Sequence, residues 1–169
     1  MLHSSGQHIA LERAELPARA NQRRDRGEPR RLRRARGGAA VIEQVERIRV
    51  AWVDTDAGGR IHFTAVFRWV EAAETALVRR LGLMEGWGNF PRRHVEVDYL
   101  KVLVFEDEVE VRLRVDRVGS TSITYAWELV KDAEPYVSGS HTVVHVDERG
   151  RSAELPDQLR ARLSDQAQL

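Results

Sequence analysis

Two aspartates, two glycines and a histidine fall within eleven residues of this chain, in the run Val53-Asp-Thr-Asp-Ala-Gly-Gly-Arg-Ile-His-Phe63. Asp54 and Asp56 have the same parity, so an extended chain would place both on one face, whereas a turn at Ala57-Gly58-Gly59 would leave Asp56 at the exit of a strand. A helix that begins just after this run presents unpaired N–H groups near Phe63, Thr64 and Ala65. A carboxylate held against such a helix start suits acyl chemistry. The N–H groups polarise a carbonyl oxygen and hold a developing oxyanion, while the carboxylate attacks or directs water. In other enzymes the loss of one such donor raises the barrier by ~2.7 to 4 kcal/mol. The same residues also suit a purely structural turn, because an aspartate accepts a hydrogen bond from its own backbone two residues on, and spacing alone favours that turn.

The flanking sequence supplies the elements that would position the run. Val45, Ile48, Val50, Trp52 and Val53 predict a first strand that ends at the aspartates. Thr64 is placed to cap a helix reaching Leu81, with Gly82 to end it. Val66, Val70, Ala73, Leu77 and Leu81 recur at spacings of three or four and predict one buried stripe, and Arg68, Glu71, Thr75 and Arg79 lie on another face. Residues 83–91 read as a loop with Gly86 and Gly88 on either side of Trp87. The period then changes to two over His94–Tyr99, Glu108–Val115 and Ser122–Leu129, with a fourth such strand over residues 136–146. Turns fall at Val118–Thr121 and Asp132–Pro135. Pro156 opens a short last helix with Leu159 and Leu163 on one side. A strand, a loop, a long helix and then four strands make an α+β arrangement, one helix against an antiparallel sheet. Four consecutive strands, with no GxGxxG and no GKS or GKT, exclude a doubly wound nucleotide-binding fold.

The run Asp54-Thr-Asp56-Ala-Gly-Gly-Arg-Ile-His-Phe63, followed by Phe67-Arg-Trp-Val-Glu71, resembles the start of hotdog-fold acyl-CoA thioesterases of the 4-hydroxybenzoyl-CoA thioesterase family. The resemblance spans roughly residues 44–147. It implies an antiparallel sheet of about five strands wrapped around one long central helix, and a homodimer or homotetramer with active sites at subunit interfaces. The implied activity is hydrolysis of an acyl-CoA, or an acyl carrier thioester, to a free acid and a thiol, with no metal and no cofactor beyond the coenzyme A of the substrate. Carried over position by position, the resemblance makes Asp56 the catalytic carboxylate and the Phe63 backbone N–H the group that polarises the thioester carbonyl. Many relatives have His or Tyr where this chain has Phe63. Here the histidine is His62, one place earlier, which leaves it a base, a water-orienting group or a merely satisfied side chain. Gly59, Thr64, Trp87 and Arg92 are the expected substrate contacts, Trp87 because its flanking glycines suit a loop over the acyl group and Arg92 because CoA carries phosphates.

Three rival arrangements are weaker on the residues. A carboxylate on the helix, as in another hotdog subfamily, would be Glu71 or Glu74, but both are expected on an exposed, ion-paired face. Hotdog hydratases of one type carry a D-x-N-P-x-H run, whereas Asp56 and His62 are six positions apart with neither Asn nor Pro between them. A protein that binds acyl thioesters without turnover gains little from an ionised carboxylate beside the thioester. A metal site is not expected, since His141 and His145 on one strand would stand roughly 13 Å apart; both read as ordinary sheet-face residues.

Composition narrows the rest. The chain has no Cys, which excludes disulfides, thiolate nucleophiles and Cys-ligated metals. Residues 1–40 carry ten Arg against four acids, for +6, leaving 17 basic against 22 acidic residues beyond them, for −5. An acidic body gives no reason to expect nucleic-acid binding. The domain is expected over residues 41–165. Residues 1–40 read as a disordered Arg-rich tail or translated upstream sequence, because they hold too few apolar residues to offset their ordering entropy. With no apolar window long enough for a span and no signal-peptide core, a cytoplasmic location and no membrane partner are expected.

Overall fold

A computed structural model describes residues 42–165, and the reading of residues 1–40 lies outside them. Strand β1 (Glu43–Arg49) leads through a 3-10 turn at Trp52–Asp54 to helix α1 (Ala65–Arg80). After a second 3-10 turn at Trp87–Asn89 come β2 (Arg92–Tyr99), β3 (Glu108–Val118), β4 (Ser122–Lys131) and β5 (Glu134–Val144), and helix α2 (Asp157–Asp165) follows. The five strands form one antiparallel sheet in the order β1-β3-β4-β5-β2. The three strands β3, β4 and β5 pair as a meander, and the passage through α1 carries the chain from the β1 edge to the β2 edge. This is the expected α+β hotdog arrangement.

Helix α1 packs on the sheet through the predicted stripe. Val66, Val70, Ala73, Leu77 and Leu81 are all buried, together with Val109, Val111, Leu113, Ile123, Tyr125, Trp127, Leu129, Val137 and Val143. Gly82, at φ 71°, adopts the left-handed conformation that ends the helix. On α2, Leu159 and Leu163 are buried as expected, although the helix begins at Asp157 rather than Pro156. Among the described residues no helix is long and apolar enough to cross a membrane.

Two local expectations are corrected. The first strand ends at Arg49, and the apolar pair Trp52 and Val53 is exposed on the 3-10 turn, at 74% and 81%. The Asp54 carboxylate makes that turn by accepting the Ala51 N–H at 3.1 Å. Thr64 does not cap α1 through its side chain; its hydroxyl meets His62 instead.

One position in the sheet has no room for a side chain. At Gly139 a Cβ would fall 2.4 Å from the Glu96 carbonyl oxygen and 2.4 Å from Trp127 Cη2. Backbone on one side and a fully buried ring on the other cannot both give way. Gly139→Ala should therefore destabilise the fold by about 3 kcal/mol, the upper part of the overpacking range. Urea unfolding would check this, and a loss under ~1 kcal/mol would show that Trp127 can move aside.

Candidate active site

The loop from Asp54 to Thr64 is closed on itself. The His62 N–H donates to the Asp54 carbonyl at 2.7 Å, the Asp56 N–H donates to the Arg60 carbonyl at 2.8 Å, and Thr55 bridges Ile61. The turn at its tip is the one expected from aspartate chemistry. Asp56 Oδ1 accepts the Gly58 N–H at 2.7 Å, and Gly59 takes φ 71°, which favours glycine at that position. Asp56 is exposed, and its second carboxylate oxygen has no partner among the described residues. Turn and open carboxylate are thus two uses of one side chain.

At the other end of the loop the Phe63 N–H donates to nothing among the described residues, and Phe63 is 61% exposed. The chain enters α1 two residues later, so this N–H adds to the positive end of the helix. Tyr99, at the end of β2, donates its hydroxyl to the Phe63 carbonyl at 2.5 Å. Partial burial pushes the Tyr99 pKa up, so the hydroxyl stays a donor. His62 is fixed as well. The Thr64 N–H reaches His62 Nδ1 at 3.3 Å and the Thr64 hydroxyl lies 2.7 Å from the same nitrogen. A ring nitrogen that accepts carries no proton, so the imidazole proton is assigned to Nε2.

Asp54 is the buried member of the pair, at 6% exposure. Beyond the Ala51 N–H, its carboxylate binds the Arg68 guanidinium, which projects from the first turn of α1. Arg68 belongs to the exposed, ion-paired helix face that the spacing predicts, but it pairs with the loop instead of a helix glutamate. Its partner was not evident from the periodicity.

Of the expected contacts, Asp56, Gly59, His62, Phe63 and Thr64 lie together in this loop, whereas Trp87 and Arg92 do not. Helix α1 is about 24 Å long, and both residues follow its far end. Trp87 stacks on Phe90 with ring centroids 4.8 Å apart, and Phe90 lies against His145 at 5.0 Å. Arg92 binds Glu74 at 2.6 Å.

That last contact overturns the expectation for Glu74. It is buried, at 1% exposure, and its Oε2 also accepts from His141 Nε2 at 3.0 Å. His141 is likewise buried, and its Nδ1 accepts the Trp127 indole N–H at 3.1 Å. Tyr125 stacks on the imidazole with centroids 5.0 Å apart, and burial pushes the Tyr125 pKa up. The sequence signal was the helix spacing: four residues before and after Glu74 stand Val70 and Val78, both buried. Among the described residues no group of three or more His, Asp or Glu could hold a metal ion.

The family model described as the thioesterase-like superfamily matches residues 50–163. Among curated protein sequences none matches at a significant level. Solved structures do. A thioesterase from Thermus thermophilus, complexed with coenzyme A and zinc, is 26% identical with a TM-score of 0.67, over 77% of this chain and 96% of that one. A 1,4-dihydroxy-2-naphthoyl-CoA thioesterase from Synechocystis is 19% identical with a TM-score of 0.65, over 73% of this chain and 96% of that one, a likeness of fold.

Proposed function

Because the chain belongs to the thioesterase-like superfamily, we propose that it hydrolyses an acyl-CoA or carrier-bound acyl thioester to a free acid and a thiol, using Asp56 and the Phe63 N–H. The observation that carries this is that one closed loop holds both an Asp56 carboxylate oxygen and a Phe63 N–H that have no partner among the described residues. The N–H stabilises negative charge on the acyl oxygen as the carbonyl carbon becomes tetrahedral. The carboxylate either takes a proton from the attacking water or attacks the carbon itself to give a mixed anhydride that water then opens. In both routes the C–S bond breaks, the thiolate leaves and is protonated, and one water is consumed. His62 Nε2–H is a further donor at the same loop.

A second copy of the chain gives the site its remaining walls in this reading. Strand β2 is an edge of the sheet, Val95 and Tyr99 along it are 41% and 46% exposed, and Leu100 just past its end is 38% exposed. An open edge with apolar side chains favours pairing with another strand. Antiparallel pairing of two β2 strands would bring Arg92 and the Trp87 loop of one copy toward Tyr99 and Phe63 of the other, where Trp87 could border an acyl group. Light scattering should then give twice the chain mass, and Val95→Asp should shift it toward a monomer; an unchanged mass would refute the β2 interface.

Release of thiol from a panel of acyl-CoAs tests the activity. Absence of turnover on every acyl-CoA and carrier thioester would favour a binder, and hydration of crotonyl-CoA without thiol release would favour a hydratase.

A further inference from the structure

The buried Asp54 is not used by the chemistry proposed above, yet it is bonded through both its carbonyl and its carboxylate. Its carbonyl accepts the His62 N–H at 2.7 Å, its Oδ2 accepts the Ala51 N–H at 3.1 Å, and its Oδ1 binds Arg68. These three bonds tie the start of the 3-10 turn, the far side of the loop and the first turn of α1 to one residue. Both ends of the candidate site hang from it. Asp56 follows two positions later, and the Phe63 N–H belongs to the peptide next to the His62 N–H that Asp54 holds.

We infer that Asp54 and Arg68 are a positioning pair that sets the Asp56 carboxylate against the Phe63 N–H and neutralises the second carboxylate of the loop. The inference rests on the reading of Asp56 given above and adds to it the residues that fix its geometry. The physical case has two parts. A buried carboxylate without its cation is strongly disfavoured, so the loop is held where Asp54 can reach the guanidinium. The reaction also forms an oxyanion at the start of α1, and an unneutralised Asp54 two residues from Asp56 would oppose that charge. Arg68 removes this opposition while Asp56, among the described residues, has no cation of its own. Its side chain is 54% exposed, so replacing it opens no hole in the core.

The test uses the full chain and a thioester that the wild type hydrolyses, with kcat, KM and melting temperature measured for Arg68→Met, Arg68→Lys and the double variant Asp54→Asn/Arg68→Met. In Arg68→Met, kcat should fall about a hundredfold, the scale of a misplacement near 1 Å, with KM within about threefold of wild type. Arg68→Lys, which keeps the cation, should recover most of kcat. The double variant removes the unpaired buried charge, so its melting temperature should return toward wild type while kcat stays low. A purely structural role would make kcat recover with the melting temperature, and that result would overturn the inference. Wild-type kcat in a folded Arg68→Met would overturn it too. Asp56→Asn separates the two levels: if it is inactive while Arg68→Met is active, positioning alone fails, and if it keeps the wild-type rate, the reading of Asp56 fails and the inference with it.

Discussion

Asp56→Asn should lower kcat for thioester hydrolysis by about a thousandfold, within the range that a positioned carboxylate base contributes, and should leave the melting temperature unchanged. The structure makes this substitution unusually clean. Asp56 has two separable duties, the turn bond from the Gly58 N–H to Oδ1 and an open oxygen toward solvent. Asparagine keeps a carbonyl oxygen that accepts the same turn bond, so the loop, its left-handed Gly59 and the approach to α1 should persist. What disappears is the charge and the ability to take a proton or to attack carbon. Asp56→Ala removes both duties and should lose stability as well as rate, so the comparison of the two variants isolates the chemistry from the fold. KM should change little in Asp56→Asn, because the interaction lost is one made in the transition state. A rate within about threefold of wild type would mean that Asp56 is only a turn residue. Where Asp56→Asn does lose the rate, solvent oxygen found in the wild-type Asp56 carboxylate after a single turnover would show that Asp56 attacks the thioester and that water opens the anhydride at the Asp56 carbonyl.

The sequence was legible where local pattern and tertiary structure agree. The stripe from Val66 to Leu81 repeats at the helix period, and the strands after residue 91 alternate at the strand period, so α1 and the antiparallel sheet could be read directly. The Asp-Ala-Gly-Gly turn was equally legible, since an aspartate before glycines bonds its own backbone. The first strand was overextended because Trp52 and Val53 have strand-forming side chains. The strand stops where Asp54 reaches back to the Ala51 N–H, a contact that local pattern does not show. Long-range polar partners were illegible for the same reason. Glu74 and His141 are 67 positions apart, and no period links a helix residue to a strand residue. Periodicity could place Glu74 on the buried face, between Val70 and Val78, but could not say that an arginine and a histidine would meet it there.

Arg92→Met should destabilise the fold by about 3 kcal/mol, the low end of the cost of removing one partner from a buried ion pair. Glu74 is 1% exposed and its Oε1 has no partner among the described residues, so the carboxylate depends on Oε2. There it receives Arg92 at 2.6 Å and His141 at 3.0 Å. The Trp127 N–H occupies His141 Nδ1, which assigns the ring proton to Nε2 and makes the imidazole a neutral donor. Without Arg92 the carboxylate keeps one neutral hydrogen bond and no countercharge. Water can follow the shortened side chain inward, since the Arg92 side chain is 34% exposed, and this holds the cost at the low end. Glu74→Gln leaves an arginine that can turn to solvent, and should cost only about 1 to 2 kcal/mol. The double variant Glu74→Met/Arg92→Met removes both charges and should be more stable than Arg92→Met alone, as apolar replacements of buried ion pairs often are. Urea unfolding of wild type, Arg92→Met, Glu74→Met and the double variant closes the cycle and gives the coupling energy directly. A loss below ~1 kcal/mol in Arg92→Met would show that the guanidinium does not neutralise Glu74. A rise in KM with no loss of stability would instead return Arg92 to the phosphate-binding role suggested by its sequence position. The pair spans helix α1 and the exposed edge strand β2, so its strength also decides how firmly that edge is held for a second copy.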